Sequence, residues 1–175
     1  MEVDTPLNNV VLIGMPGAGK STVGVVLAKM MNKHFVDTDL LIQKKHDETL
    51  QSMIDAYGVE EFIRRENAVL GDLELSDSIV STGGSAVYSE DGMRNLSSMG
   101  TVVYLRGGID ELSKRLGDFD ERGVVFRNSS GSGLAGLLEE RSPLYEQYAD
   151  VIVDIEGMSV ANTARSIMDR LEGNR

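Results

Sequence analysis

Val10-Val11-Leu12-Ile13-Gly14-Met15-Pro16-Gly17-Ala18-Gly19-Lys20-Ser21-Thr22-Val23 is the stretch on which the reading of this chain turns. A short β-branched run enters a glycine-rich segment, and a stretch with helical spacing leaves it. Gly14 to Ser21 fits G-x-x-x-x-G-K-[ST], the spacing of a phosphate-binding loop between a strand and a helix. Each part has a physical task. The glycines let backbone N–H groups turn inward around a phosphate. The helix that begins near Lys20 aims the positive end of its dipole at the same point. Lys20 reaches the outer phosphates, and the Ser21 hydroxyl suits Mg²⁺. Gly14, Gly17, Ala18, Gly19, Lys20, Ser21 and Thr22 are therefore the expected contacts to ATP, with Mg²⁺ as its companion ion.

Apolar runs and amphipathic stretches alternate on either side of this loop. In the helix that follows it, Val23, Val26, Leu27 and Met30 share one face, which predicts a core stripe. Phe35-Val36, Ile79-Val80, Val102 to Leu105 and Val151 to Ile155 read as further strands. Leu40 to Tyr57 reads as one or two helices, Gly58 breaks the pattern, and Glu60 to Leu75 resumes it. Glu90 to Ser98, Asp110 to Leu116, Leu134 to Tyr148 and Val160 to Leu171 complete the helices. Strands separated by helices form βαβ units, hence an α/β fold with a parallel sheet covered on both faces. No repeat and no linker interrupts the pattern, so residues 1–175 read as one domain. Residues 117–133, rich in Gly and Ser with few apolar residues, lack clear periodicity, and their place before a long helix suits a lid.

Composition narrows the function. A net charge of −11 disfavours nucleic acid and anionic membranes as partners. No apolar run is long enough to span a bilayer. Met1 to Asn8 lacks the basic start and apolar stretch of a secretory signal, which predicts a cytoplasmic protein. With 0 cysteines, thiolate chemistry and Cys-bound zinc are excluded, and 2 histidines argue against a multi-histidine metal site. A GTPase would need an N-K-x-D motif, which is missing; Asp55-Ala56-Tyr57-Gly58 imitates D-x-x-G but lies in a helical stretch.

Asp37-Thr38-Asp39 follows the second strand, at the sheet end where ligands of parallel sheets bind. Two carboxylates there can divide the labour. Asp37 is expected to help hold Mg²⁺ through water, and Asp39 to orient an acceptor hydroxyl and take its proton. The plainer reading is that one of them caps the following helix.

With these residues in view, the chain resembles the shikimate kinases. The resemblance runs from the phosphate loop through Asp37-Thr38-Asp39, Gly58, Phe62 and Glu66, Gly83-Gly84, Val102-Val103-Tyr104-Leu105 and Arg141-Ser142-Pro143-Leu144-Tyr145. It implies a three-layer P-loop fold of nucleoside-monophosphate-kinase type, with a five-stranded parallel sheet of order 2-3-1-4-5 and a lid. It implies transfer of the γ-phosphate of ATP to a hydroxyl of a small metabolite, in amino-acid biosynthesis, by a chain expected to act as a monomer. By that pattern Asp39 contacts the acceptor hydroxyls, Gly83 and Gly84 let the backbone approach it, and Arg141 binds its carboxylate. Arg122, in the lid, closes over the phosphates, with Arg127 as its rival, and Arg115 lies against the adenine.

Three positions depart from the pattern. Ile63 stands where the family carries an arginine that shares the acceptor carboxylate, Ser85 replaces a third glycine, and Gly123 follows Arg122 where the family has proline. Arg64 and Arg65 do not restore the cation, because helical rotation of about 100° per residue turns them away from position 63. The positions of Ile63 and Glu66, three apart on one helix face, still belong to the expected acceptor site. Shikimate is the leading acceptor on this reading. A hydroxy amino acid such as homoserine is the alternative, with Glu66 holding its ammonium, unless Glu66 simply pairs with Arg65 or another nearby cation. A non-catalytic nucleotide-binding protein is the remaining class.

Overall fold

The computed structural model describes residues 8–116 and 133–173. The expected lid, with Arg122, Gly123 and Arg127, lies outside the described residues except for Gly133, which starts a helix.

The strand that enters the phosphate loop, β1 (Asn9–Ile13), is buried at all five positions. Its continuous apolar run suits a strand covered on both faces. It pairs in parallel with β3 (Ser78–Ser81) on one side and β4 (Gly100–Arg106) on the other. β2 (His34–Asp37) lies outside β3, and β5 (Val151–Asp154) outside β4. The resulting order, β2-β3-β1-β4-β5, is the one the resemblance implies. Register places Leu12 and Asp37 on either side of Ser81, so β1, β2 and β3 end level with one another.

Helices cover the sheet. α1 (Lys20–Met31) packs against α8 (Val160–Gly173), and α4 (Val59–Gly71) against α5 (Glu90–Met99). The buried stripe of α1 differs from the expected one. Val23 and Leu27 are fully buried, but Met30 is 40% exposed. A Cβ on Gly24 would stand 2.7 Å from the Phe35 ring, so Gly24 lets β2 approach α1 closely on a face that Met30 does not share.

Leu40 to Tyr57 resolves into two helices, α2 (Thr38–His46) and α3 (Leu50–Tyr57). Asp47, with φ of 54°, ends the first, and the Thr49 hydroxyl caps the second through Ser52 N–H at 3.1 Å. α4 stops at Gly71 rather than continuing to Leu75, although Leu73 and Leu75 still pack on the core. A short 3₁₀ turn, Ala86–Tyr88, follows the Gly83-Gly84 segment. α6 (Ile109–Leu116) and α7 (Gly133–Tyr148) complete the elements. Among the described residues, no helix is long and apolar enough to cross a membrane.

Candidate active site

The phosphate loop gets its shape from positions that exclude side chains. Gly14 has φ of +147°, and a Cβ there would stand 2.7 Å from the Leu105 carbonyl oxygen. Gly19 has φ of 83° and caps α1, whose first turn holds Lys20, Ser21 and Thr22. Ala18 is wholly buried, and its N–H bonds the Met15 carbonyl at 3.1 Å. Lys20 is 8% exposed and donates to the carbonyls of Gly14 at 2.8 Å and Met15 at 2.9 Å. Burial lowers its pKa to about 8, partly offset by Asp39.

A cavity of about 630 Å³ opens over this loop. Pro16, Gly17, Gly19, Lys20, Ser21 and Thr22 form one side of it. Asp39, from the first turn of α2, and Arg141, from the middle of α7, meet it at the other end, across Thr82, Gly83 and Gly84. Thr82 is tied to the end of β1, its hydroxyl and its N–H both donating to the Leu12 carbonyl, at 2.9 and 3.2 Å. The Tyr145 hydroxyl donates to the Gly84 carbonyl at 2.7 Å, and its ring stacks on Tyr104 with centroids 5.0 Å apart.

The glycines here make room for side chains. A Cβ on Gly83 would stand 2.6 Å from Asp39 Oδ1 and 3.1 Å from Glu66 Oε1. One on Gly84 would stand 2.9 Å from an Arg141 guanidinium nitrogen. Arg141 is buried, with its guanidinium 5.1 Å from the Tyr88 ring centre and its Nε donating to the Tyr88 hydroxyl at 3.3 Å. That hydroxyl in turn donates to Glu140. Burial, with Asp37 nearby, pushes the Asp39 carboxyl up to about 6 against the pull of Lys20.

Asp37 serves two neighbours. Oδ1 accepts from Asp39 N–H at 3.0 Å and caps α2, while Oδ2 accepts from the Ser21 hydroxyl at 2.7 Å. The capping reading and the position beside Ser21 therefore hold together. Ser21 and Asp37 form an oxygen-only donor pair at the rim of the loop, the hard-ligand chemistry that suits Mg²⁺.

Arg115 borders the cavity on its far side. Its guanidinium bonds Glu111 at 2.6 Å and the Met158 carbonyl at 3.0 Å, joining α6 to the segment after β5. Met158, Ser159 and Val160 continue that wall. The sequence does not mark them as site residues because they form no motif, although their position after a strand's carboxyl end is a usable signal.

Ile63 and Glu66 do not border the cavity. Ile63 joins an apolar cluster with Ile42, Met53, Phe62 and Val69, because its turn of α4 faces α2 and α3. Glu66 is fully buried, and its Oε2 accepts from the Ser85 hydroxyl at 2.8 Å. The expected Arg65 pairing does not form: Arg65 bonds Glu61 at 3.4 Å, reaches Glu48 at 3.7 Å and lies over the Tyr57 ring. Arg64 pairs with Glu61 at 2.7 Å. Both arginines turn away from position 63, as helical rotation requires.

The family model for shikimate kinase matches residues 16–172. The chain belongs to the shikimate kinase family. It is 38% identical to the shikimate kinase of Vibrio parahaemolyticus over 165 residues, 94% of this chain and 96% of that one. It is 39% identical to that of Shewanella loihica over 164 residues, 93% and 96% of the two chains. Among solved structures it is similar to shikimate kinase from Acinetobacter baumannii in complex with shikimate, with a TM-score of 0.88 and 29% identity, over 97% of this chain and 95% of that one. As a member of the shikimate kinase family it is an ATP-dependent phosphotransferase acting on a hydroxyl group, and its fold is the P-loop kinase type.

Proposed function

We propose that the protein phosphorylates a hydroxyl group of shikimate, using Mg·ATP. The observation that carries this reading is Asp39 and Arg141 meeting one cavity across Gly83 and Gly84, beyond the phosphate loop. A carboxylate for a hydroxyl and a guanidinium for a carboxylate suit an acceptor that carries both groups. The Acinetobacter baumannii relative, whose structure is a complex with shikimate, supports the same acceptor class.

Lys20 turns from the loop carbonyls to the phosphates as ATP enters, an exchange of neutral acceptors for charged ones. Ser21 and Asp37 would hold Mg²⁺, which would neutralise phosphate charge. Asp39 takes the acceptor proton as the hydroxyl oxygen forms its bond to the γ-phosphorus and the bond to the ADP oxygen breaks. Arg141 holds the acceptor carboxylate and so fixes which hydroxyl faces Asp39. Arg115 borders the nucleotide side, and Arg122 supplies the lid cation.

A hydroxy amino acid would need Glu66 at the cavity as an anion. Glu66 instead lies buried behind Gly83, bonded to Ser85, which favours an acceptor without an ammonium. ADP release is the assay, run with shikimate and a panel of hydroxy amino acids. Shikimate is expected to give the highest kcat/KM, and Asp39→Asn to lower kcat about 100-fold with little change in ATP affinity. Turnover of an amino acid alone would overturn the assignment of acceptor. An Asp39→Asn enzyme that keeps its rate would overturn the role of Asp39.

A further inference from the structure

Glu66 is a buried acid that forms no ion pair among the described residues, with Arg141 acting on it only from a distance. Its residue exposes no surface, Ser85 donates to Oε2 at 2.8 Å, and Oε1 is buried with no hydrogen-bond partner among the described residues. A buried carboxylate in that position bears most of its desolvation cost uncompensated. The oxygen without a partner and Asp39 Oδ1 both approach the Cβ side of Gly83, 3.1 and 2.6 Å from where a Cβ would stand.

The groups facing Glu66 come from several elements. Asp39 approaches from α2 and opposes a negative charge; Arg141 approaches from α7 and favours one. Ser85 is the hydroxyl from the turn after β3. From α5, which packs on α4, Glu90, Asp91 and Arg94 are exposed and paired with one another. From α3, Asp55 is exposed and bonded to Gln51. On α4 itself Arg64 and Arg65 look outward.

We propose that Glu66 works as a neutral carboxylic acid, a positioning residue that keeps the wall behind Gly83 free of negative charge beside Asp39. The inference rests on the acceptor reading given above for its functional consequence. Ionisation of Glu66 would set a second carboxylate behind the acceptor wall. That charge would oppose an acceptor carboxylate held in the same pocket. Burial places the proton affinity of Glu66 in a range where this matters, with its pKa raised to about 8.

Two measurements test this. The first needs no acceptor. In protein labelled with ¹³C at the glutamate carboxyls, the resonance missing from Glu66→Gln is expected to titrate near pH 8. A midpoint in the ordinary carboxylate range, about 4 to 5, would overturn the proposal. Should Glu66→Gln not fold, Ser85→Ala replaces it. Removing the donor to Oε2 is expected to move one glutamate midpoint further upward, and unmoved midpoints count against the proposal. The second measurement is the acceptor KM against pH at saturating ATP, where Lys20 is engaged with phosphate. Wild type is expected to show a rise approaching tenfold per pH unit above the midpoint, absent from Glu66→Gln. An identical rise in both proteins would overturn the functional part. A Glu66 midpoint near pH 8 in a protein that turns over no shikimate would count against the acceptor reading alone and leave the neutral acid standing.

Discussion

The Ser21 hydroxyl donates to Asp37 Oδ2 at 2.7 Å and ties the first turn of α1 to the end of β2. The same carboxylate caps α2 with its other oxygen. Asparagine keeps an N-cap acceptor but lacks the charge. Asp37→Asn is therefore expected to change stability by less than about 0.5 kcal/mol. The Mg²⁺ concentration for half-maximal activity should rise about tenfold or more, in line with the loss of a charged ligand partner. A Mg²⁺ titration of initial rates beside a thermal melt separates the two roles.

Gly83 leaves no room for a methyl group. A Cβ would stand 2.6 Å from Asp39 Oδ1, so alanine must push that carboxyl aside. Gly83→Ala is expected to lower kcat/KM for the acceptor by about 100-fold, since small misplacements of reacting groups carry losses of that order. The Kd for ATP should stay within a few-fold, because the phosphate loop lies at the other side of the cavity. Steady-state kinetics and an ATP-binding isotherm on the same preparation test both halves.

Asn9 anchors the opposite end of the sheet. It is 2% exposed and donates to the carbonyls of Leu75 at 2.7 Å and Met99 at 3.1 Å, while its own oxygen accepts from Ser78 N–H at 2.9 Å. Asn9→Ala removes all three partners. Each buried polar group left unpaired costs about 1–3 kcal/mol, so a total loss of roughly 3 kcal/mol or more is expected. Urea unfolding is the measurement, with a lower midpoint and an unchanged slope.

Stability should also depend on pH through Glu66. Its folded pKa, about 8, lies above the ordinary value of 4.5. Between those values the folded state holds more protons than the unfolded one, so stability falls as pH rises through that window. The slope from this group approaches about 1.4 kcal/mol per pH unit. Glu66→Gln cannot ionise and should lack this contribution, gaining on wild type as pH rises and holding its advantage above pH 8. Denaturant unfolding of both proteins from pH 5 to pH 9 measures it; parallel curves would show that Glu66 titrates alike folded and unfolded.

Local features of the sequence carried the nucleotide half of the site. Strand, glycine loop and helix follow one another without a break, so spacing alone places Lys20 and Ser21 at the amino end of a helix. The alternation of apolar runs and helical periods likewise defined an α/β sheet, because burial on both faces leaves continuous apolar strands. Met30 shows the limit of that reading: periodicity cannot see that Gly24 admits the Phe35 ring on a face that Met30 does not share.

The acceptor half was decided in space. Glu66 meets Ser85 across 19 residues, and Arg141 meets Tyr88 across 53. Asn9 reaches carbonyls 66 and 90 residues away. The sequence determined that position 63 is apolar and position 66 acidic. Only the tertiary structure decided that Ile63 joins the core and that Glu66 is sealed behind Gly83 with a hydroxyl for company. The reason is physical. The charge state of a carboxyl group depends on how much water it keeps and which dipoles approach it, and distant elements of the fold determine both.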